Sequence, residues 1–591
     1  MTKKALFSLF FGLSLLLATC ALADVALDTA HFPDQNFLTL ASQYDTNRDG
    51  MLSDMEIQEI TEIDCWGRNI RSLAGIEYFT SLTLLDCSDI SLNELDVSNN
   101  TSLVTLKCAE QQLTSLDLSK NTALTLVNCS DNGLTKLDLS KNTALTSVNC
   151  SDNGLTELNV SNNTRLSELS CTNNMLSELD LKNNAIMTIL RCSNNQLTKL
   201  DVSSNTNLTN IDCSNNQLST LDITKNTMLK GLSCNNNNLS ELDVSNNAKI
   251  TGLSCSNNRI TKLDISNNTL LTALTCINNS IASLDVSKNT LLEGLRCSYN
   301  NLSILNVSQN SMLSILKCAY NTLTTLDISN NTKLTELDCS ANMLTTLDVT
   351  KNIWLTDLDC SYNQLVALDI DKNIKLDLVW LGCDDNRREI DLSGGNTFDL
   401  TTLPNFDLSR TSKWRGGSVT EGILSINSEV TEVTYSYNCG RNVQRYFTFV
   451  IKNVNKETAS PSPIPTSTPS PFETPDSIET ASPSITLNPT VTASPTVSPN
   501  PEQTFDPSTI ECDIPEGILF IEDEAFMNTN VRIVRIPESC KTIGHRAFAN
   551  CQNLQVIYFM DGNVNVQSDF IENSPNAKII APKGSIMANW K

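Results

Sequence analysis

Two groups of side chains in this 591-residue chain are of types that do chemistry, and both are spaced by rule. The first is a set of cysteines. The chain has 21, and fourteen of them fall at 21-residue intervals from Cys87 to Cys360, with Cys65 before and Cys383 after. Cysteines in an exported chain ordinarily pair as disulfides, and converging thiolates hold zinc. The constant period argues against both. It places each sulfur at one inward position on successive parallel strands about 4.8 Å apart, whereas a disulfide needs Cβ atoms about 3.8 Å apart. Zinc ligands must converge on a point, and these run along a line. A row of small, polarizable, buried thiols is the arrangement the spacing favours.

The second group is Asp45-Thr46-Asn47-Arg48-Asp49-Gly50-Met51-Leu52-Ser53-Asp54-Met55-Glu56, which fits a twelve-residue EF-hand loop. Side-chain oxygens fall at Asp45, Asn47, Asp49 and Glu56. Met51 would contribute its carbonyl, Ser53 would act directly or through water, and Gly50 makes the sharp turn. Apolar residues at helical spacing flank the loop: Phe37, Leu40, Ala41 and Tyr44 before it, Met55, Ile57 and Ile60 after. Calcium is the expected ion, in a structural role. A dockerin would carry a second such loop, and only one is found. Catalytic constellations are not found. There are two histidines, His31 and His545, and no G-x-S-x-G, phosphate-loop or H-E-x-x-H motif, so the chain is not expected to be an enzyme.

Such groups need a scaffold that repeats as they do. One unit, Leu145 to Arg165, reads LTSVNCSDNGLTELNVSNNTR. Its apolar positions are Leu145, Val148, Cys150, Leu155, Leu158 and Val160, the leucine-rich pattern L-x-x-L-x-C-x-x-N-x-L-x-x-L-x-V-x-x-N. The stretch around the cysteine alternates as a strand does. Stacked coils then form a parallel sheet in which each coil covers its neighbour's apolar edge, and about 16 coils give a rod near 75 Å long. Asn153 and Asn163 are read as residues that satisfy buried turn backbone, because an amide both donates and accepts. Asp117, Asp138, Asp180 and Asp201 recur by rung and are read as turn residues, not acid–base groups.

Residues 63–390, with a cysteine at every rung, resemble the cysteine-ladder internalins, the 21-residue-repeat surface proteins of Gram-positive bacteria. The resemblance implies a leucine-rich-repeat solenoid on a surface or secreted protein, several of whose relatives are adhesins. It also implies an N-terminal helical cap that resembles an EF-hand. Residues 510–591 resemble a second family, the BspA-like leucine-rich repeats: Ile514-Pro515-Glu516 returns as Ile536-Pro537-Glu538, Ala525-Phe526 returns as Ala547-Phe548, and Ala581-Pro582-Lys583-Gly584-Ser585 resembles their closing turn.

The rest of the organisation follows from composition. Residues 1–23 read as a secretory signal, with Lys3 and Lys4, an apolar run from Ala5 to Leu17 and Ala21-Leu22-Ala23 at the cleavage site. Leu17-Ala18-Thr19-Cys20 keeps a lipoprotein alternative open. Residues 24–62 form the cap, 391–455 alternate as a small antiparallel β domain, and 456–509 are a Pro/Ser/Thr-rich linker. No other stretch is apolar enough to span a membrane. The net charge of −25 opposes nucleic acid and anionic lipid, both of which need a basic face. A secreted or surface-associated monomer is expected.

Its function then rests on whatever breaks the repeat. Outward strand positions lie one and three residues before each cysteine. In the middle they are small (Gly231, Ser233, Gly252, Ser254, Ala273, Thr275, Gly294). Around these lie Arg191, Arg296 and Lys317, then Glu336, Asp338, Asp357 and Asp359, with Trp380 at the far end. Tyr299, Tyr320 and Tyr362, two residues after their cysteines, line one edge. Large aromatic and charged residues beside a small-residue groove are what a protein interface uses. The expected function is binding of a protein on a host or neighbouring cell surface through this inner face. A glycan ligand stacked on Trp380 and the tyrosines, or a spacer with no specific ligand, are the alternatives.

Overall fold

The computed structural model describes residues 24–379, 381–392, 395–427 and 429–452. Further along it describes 511–513, 520–521, 526, 531–537, 540–551, 553–559, 564–566, 570–571, 573–575 and 577–581. The expected signal, the Pro/Ser/Thr linker and Trp380 lie outside the described residues. The chain divides into two units, residues 1–462 and 463–591.

In the first unit, fifteen three-residue strands from Glu62–Asp64 to Asp357–Asp359 pair in chain order into one parallel sheet. A bridge between Asp359 and Gly382 adds a further rung. The register advances by one repeat per strand, so that Gly231 pairs with Gly252 and Ala273 with Gly294. Alternation fixes the faces: Leu232 and Cys234 are buried while Gly231 and Ser233 face outward. Leu229, Leu239, Leu242 and Val244 close the same coil from its other sides, and one apolar core runs from Val25 to Ile451. The cysteines from Cys65 to Cys439 are free and buried. Several thiols donate to a carbonyl of the next coil, as Cys87 Sγ does to Lys107 O at 3.4 Å and Cys360 Sγ to Gly382 O at 3.3 Å. Burial pushes these thiols up, to about 12 at Cys129, Cys171 and Cys255.

The two asparagine columns do different work. Three residues after each cysteine, Asn153 accepts from Leu134 N at 3.0 Å and donates to Cys129, Cys150 and Ser151 carbonyls, using both ends of its amide. In the other column, Asn163 donates to Leu139 O and Asn142 O, but its Oδ1 has no partner, and the same holds at every rung from Asn100 to Asn373. The expectation of two-way satisfaction therefore holds for one column and half holds for the other. The turn aspartates act as expected: Asp117 and Asp138 accept from Ser119 N and Ser140 N, and those bonds hold both carboxyls below their ordinary range.

The cap begins with a helix at Gln35–Ala41 whose N-terminus is capped by Asp34. A second, Asp54–Glu59, has a capping box between Ser53 and Glu56. Phe37, Leu40, Ala41, Ile57 and Ile60 are buried against Phe32 and Phe79. Met55, expected on the apolar side, is 73% exposed, because it sits one residue out of step with Ile57 and Ile60.

Past the last coil, strands Asn386–Asp391, Val443–Lys452, Glu432–Gly440 and Thr411–Arg415 form a four-stranded sheet beside a three-stranded one. The pairings are antiparallel as the alternation predicts, except that Asn386–Asp391 runs parallel to Val443–Lys452. Asn386 is still a rung asparagine, donating to Cys360 O and Cys383 O, so the coil sets that strand's direction. The open end of the core is closed by Tyr435, whose hydroxyl donates to Val366 O at 2.6 Å, and by Arg441, which donates to the carbonyls of Asn373 and Leu376.

In the second unit, Glu511–Asp513, Ile533–Ile536, Val556–Phe559 and Lys578–Ile580 form a parallel sheet, and three shorter strands form another. Val534, Ile543, Phe548 and Ile557 are buried between repeats, and the Phe526 and Phe548 rings stack at 5.0 Å.

Candidate functional site

The sheet's outward face is a sequence of chemically distinct rungs. Small residues line it from Gly231 to Thr275, with the Asn210 amide lying over Gly231 and nothing over Gly252. At the next strand Gly294 is buried, because the Arg296 guanidinium lies back over it; a methyl added there would sit 3.5 Å from Arg296 Nη1. Lys317 follows, 3.7 Å from the Glu336 carboxylate on the adjacent strand. Two acidic strands come last, with Glu336 in register with Asp357 and Asp338 with Asp359. Burial and the neighbouring Asp359 push Asp338 up to about 6, while Lys317 and bonds from Ser340 work the other way. A methyl at Gly382 would collide with the Asp359 carboxylate, so glycine there gives that side chain its place. Arg296, Lys317, Asp338 and Asp359 thus occupy consecutive rungs. Arg191 does not join them: it is exposed five rungs away, roughly 24 Å along the sheet.

The tyrosines stand in a column of left-handed backbone. Two residues after the cysteine, φ is positive at every rung from Asp89 to Tyr362, and the column is mostly Asp and Asn, which tolerate that conformation. Asn236 and Asn278 also hydrogen-bond their column neighbours, Asn215 and Asn257, at 2.6 and 2.8 Å. Tyr299, Tyr320 and Tyr362 keep the backbone, at φ 55°, 50° and 53°, and change the side chain. The rings of Tyr299 and Tyr320 stack at 4.2 Å with 9° between planes, and Tyr362 is 59% exposed. Burial raises Tyr320 to about 12, with Asp338 and Asp359 near enough to contribute.

The cap loop is a second candidate. Asp45 accepts from Arg48 N at 2.6 Å and Gly50 N at 3.0 Å, Asn47 accepts from Asp49 N, and Asp49 accepts from Met51 N. Gly50 at φ 83° makes the turn. Glu56 Oε2 accepts from Ser53 N and Oγ, and Oε1 from Thr46 N and Oγ1; these bonds hold its carboxyl at about 2. The hard oxygen donors suit calcium. Among the described residues, however, no three Asp, Glu, His or Cys side chains converge as a metal-binding group. A calcium ion here would compete with Thr46 and Ser53 for Glu56.

Sequence reasoning missed one feature. Ile186, Met228, Leu270, Leu291, Met312 and Trp354 are exposed in a column two residues after the ladder asparagines. Lysines of the same column lie over some of them: Lys249 Nζ is 2.9 Å from Met228 Sδ, and Lys375 Nζ is 3.5 Å from the Trp354 ring centre. The signal was available as large apolar residues recurring at an outward position of the repeat.

Comparison with known proteins agrees with this architecture. Residues 494–587 match the family model for the BspA type leucine rich repeat region (6 copies). Internalin J of Listeria monocytogenes serotype 4b (strain F2365) is 39% identical over 71 residues, which are 12% of this chain and 8% of that protein's length. The solved functional domain of InlJ from Listeria monocytogenes, which includes a cysteine ladder, superposes with a TM-score of 0.66 and 30% identity, covering 73% of this chain and 99% of that one. A TDR receptor shares the fold at 21% identity and a TM-score of 0.52, over 57% of this chain and 66% of that one. No helix among the described residues is long and apolar enough to cross a membrane.

Proposed function

Because this chain belongs to the internalin-type cysteine-ladder leucine-rich-repeat proteins, we propose that it is a secreted or cell-surface binding protein that receives a protein partner on the C-terminal half of its inner sheet face. One observation carries this reading. From Arg296 to Asp359 the core keeps its repeat rung after rung, while the outward residues change to arginine, lysine and paired carboxylates, with tyrosines along the edge. A spacer needs nothing of that kind, since those positions are outside the core. Interface energy concentrates in such large aromatic and charged groups. Residues 1–23 would direct the chain out of the cell, consistent with a binding role there.

In this reading the cap loop is structural: Asp45, Asn47, Asp49, the Met51 carbonyl, Ser53 and Glu56 would hold calcium and stiffen the cap over the first coil. The binding role is tested by capture of host-surface proteins on immobilised wild type and on a variant with Arg296, Tyr299, Tyr320, Asp338 and Asp359 all changed. Partners retained by wild type and lost by the variant are the expected result. A partner held equally by both, or captured by neither, would move the spacer reading ahead.

A further inference from the structure

The proposed face has a chemistry that selects its partner. Asp338 and Asp359 stand side by side in register, as do Glu336 and Asp357, so the last two strands present two like-charged pairs about 4.8 Å apart. Lys317 is in register with Asp338 but makes its ion pair with Glu336. Beside these carboxylates the edge column changes from Asn and Asp to Tyr299, Tyr320 and Tyr362. An alkylammonium or guanidinium meets both needs at once: its charge relieves the repulsion between paired carboxylates, and its face or stem packs on a tyrosine ring. An anionic partner would be repelled by the same carboxylates, and a neutral one would leave the repulsion between Asp338 and Asp359 in place.

We propose that Tyr299, Tyr320 and Tyr362, together with Asp338 and Asp359, form a docking surface for an extended lysine- or arginine-bearing segment of a protein partner. The proposal rests on the inner-face reading and sharpens it. The tyrosines span four rungs, with Ala341 between Tyr320 and Tyr362, a distance of roughly 14 Å, and an extended chain with cations on alternate residues places them about 6.6 Å apart, so two or three can engage. Charge complementarity is local as well as global: the chain as a whole carries −25, and the turn aspartates such as Asp117, Asp138, Asp180 and Asp201 come one to a rung, not in facing pairs.

The test is titration of the full chain with a short peptide alternating lysine and glycine, and with its glutamate counterpart. Two double variants use residues the repeat already accepts at these positions. Asp338→Asn with Asp359→Asn copies Asn128 and Asn149, and Tyr320→Asn with Tyr362→Asn copies Asn257 and Asn278 of the same column, so both should fold. Each should weaken the lysine peptide at least tenfold, while Asp243→Asn with Asp264→Asn, on the outer turns, should leave it unchanged, and the glutamate peptide should not bind. Equal losses in the inner and outer variants would mean diffuse attraction to an acidic protein and would overturn the proposal. So would no binding of the lysine peptide to wild type, or an oligosaccharide bound through the tyrosines and indifferent to the aspartate changes. If a captured surface protein depends on this face but the lysine peptide never binds, the proposed cation chemistry fails and the binding face stands.

Discussion

Asp338→Asn should make this protein more stable at neutral pH. The Asp338 carboxyl is half-buried beside Asp359 and rises from an ordinary value of 3.8 to about 6. A raised acid favours the folded state only while protonated: its contribution is complete below about 4 and is lost as pH climbs through 6. That rise corresponds to about 3 kcal/mol as an upper bound, and solvent reaching the side chain reduces it to roughly 1–2 kcal/mol. Asparagine removes the charge and keeps the acceptor, so the bond from Ser340 N survives. Lys317 on one neighbouring strand favours the ionised form, and Asp359 on the other opposes it. Urea unfolding at pH 7 and pH 4 is the assay. The variant should gain roughly 1–2 kcal/mol at pH 7 and nothing at pH 4. A variant that is destabilised at pH 7, or equally stabilised at both, would refute the claim that paired carboxylates burden this face.

Three further outcomes are expected. Native, unreduced protein should react little with a thiol reagent, and denatured protein should titrate close to its full cysteine count, because burial keeps the rung thiols protonated; most thiols already oxidised in fresh protein would contradict the ladder. Asn226→Ala removes one of the two donors to Val202 O and to Asn205 O, each of which keeps a backbone N–H from Asn205 or Leu208, and the two lost bonds should cost about 1–3 kcal/mol in urea unfolding, with Asn226→Asp costing more. At the cap, calcium at ten times its dissociation constant should add about 1.4 kcal/mol and Glu56→Gln should abolish that increment, with equal melting in calcium and chelator marking a metal-free cap. Glu56 is held at about 2, so its own contribution is present above about 4.5 and fades as pH falls through 2, a loss the Gln variant should not show.

The solenoid was legible because its cause is periodic. A cysteine every 21 residues and an alternating triplet before it specify an inward column, and a column at fixed period can only be stacked coils. Even the aspartate turns followed, since a side chain that accepts from the amide two residues on has a fixed spacing in the sequence. The misses arose where the period stopped. Nothing in Asn386–Asp391 distinguishes a strand paired in parallel from an antiparallel one, because its direction is set by a rung asparagine and not by its own residues. Met55 was misplaced because so short a helix carries too few apolar positions to define a face.

The candidate face was half legible for a related reason. Which residues point outward follows from the alternation, so Arg296, Lys317, Asp338 and Asp359 could be named. What they do to one another depends on register between strands, which is a property of the stack. Burial within the stack, with Asp359 brought alongside by the register, raises the Asp338 carboxyl, and Arg296 folded over Gly294 closes its own rung. The tyrosines show the same limit more sharply. As letters they are three aromatics two residues after a cysteine. As structure they occupy a left-handed column that the repeat otherwise gives to Asn and Asp, a conformation that strains a bulky side chain. A repeat that places asparagine at rung after rung has the less strained residue to hand. Tyrosine at three rungs, beside the acidic pairs, therefore departs from what stability alone would select, and it does so where a partner would gain most from aromatic surface.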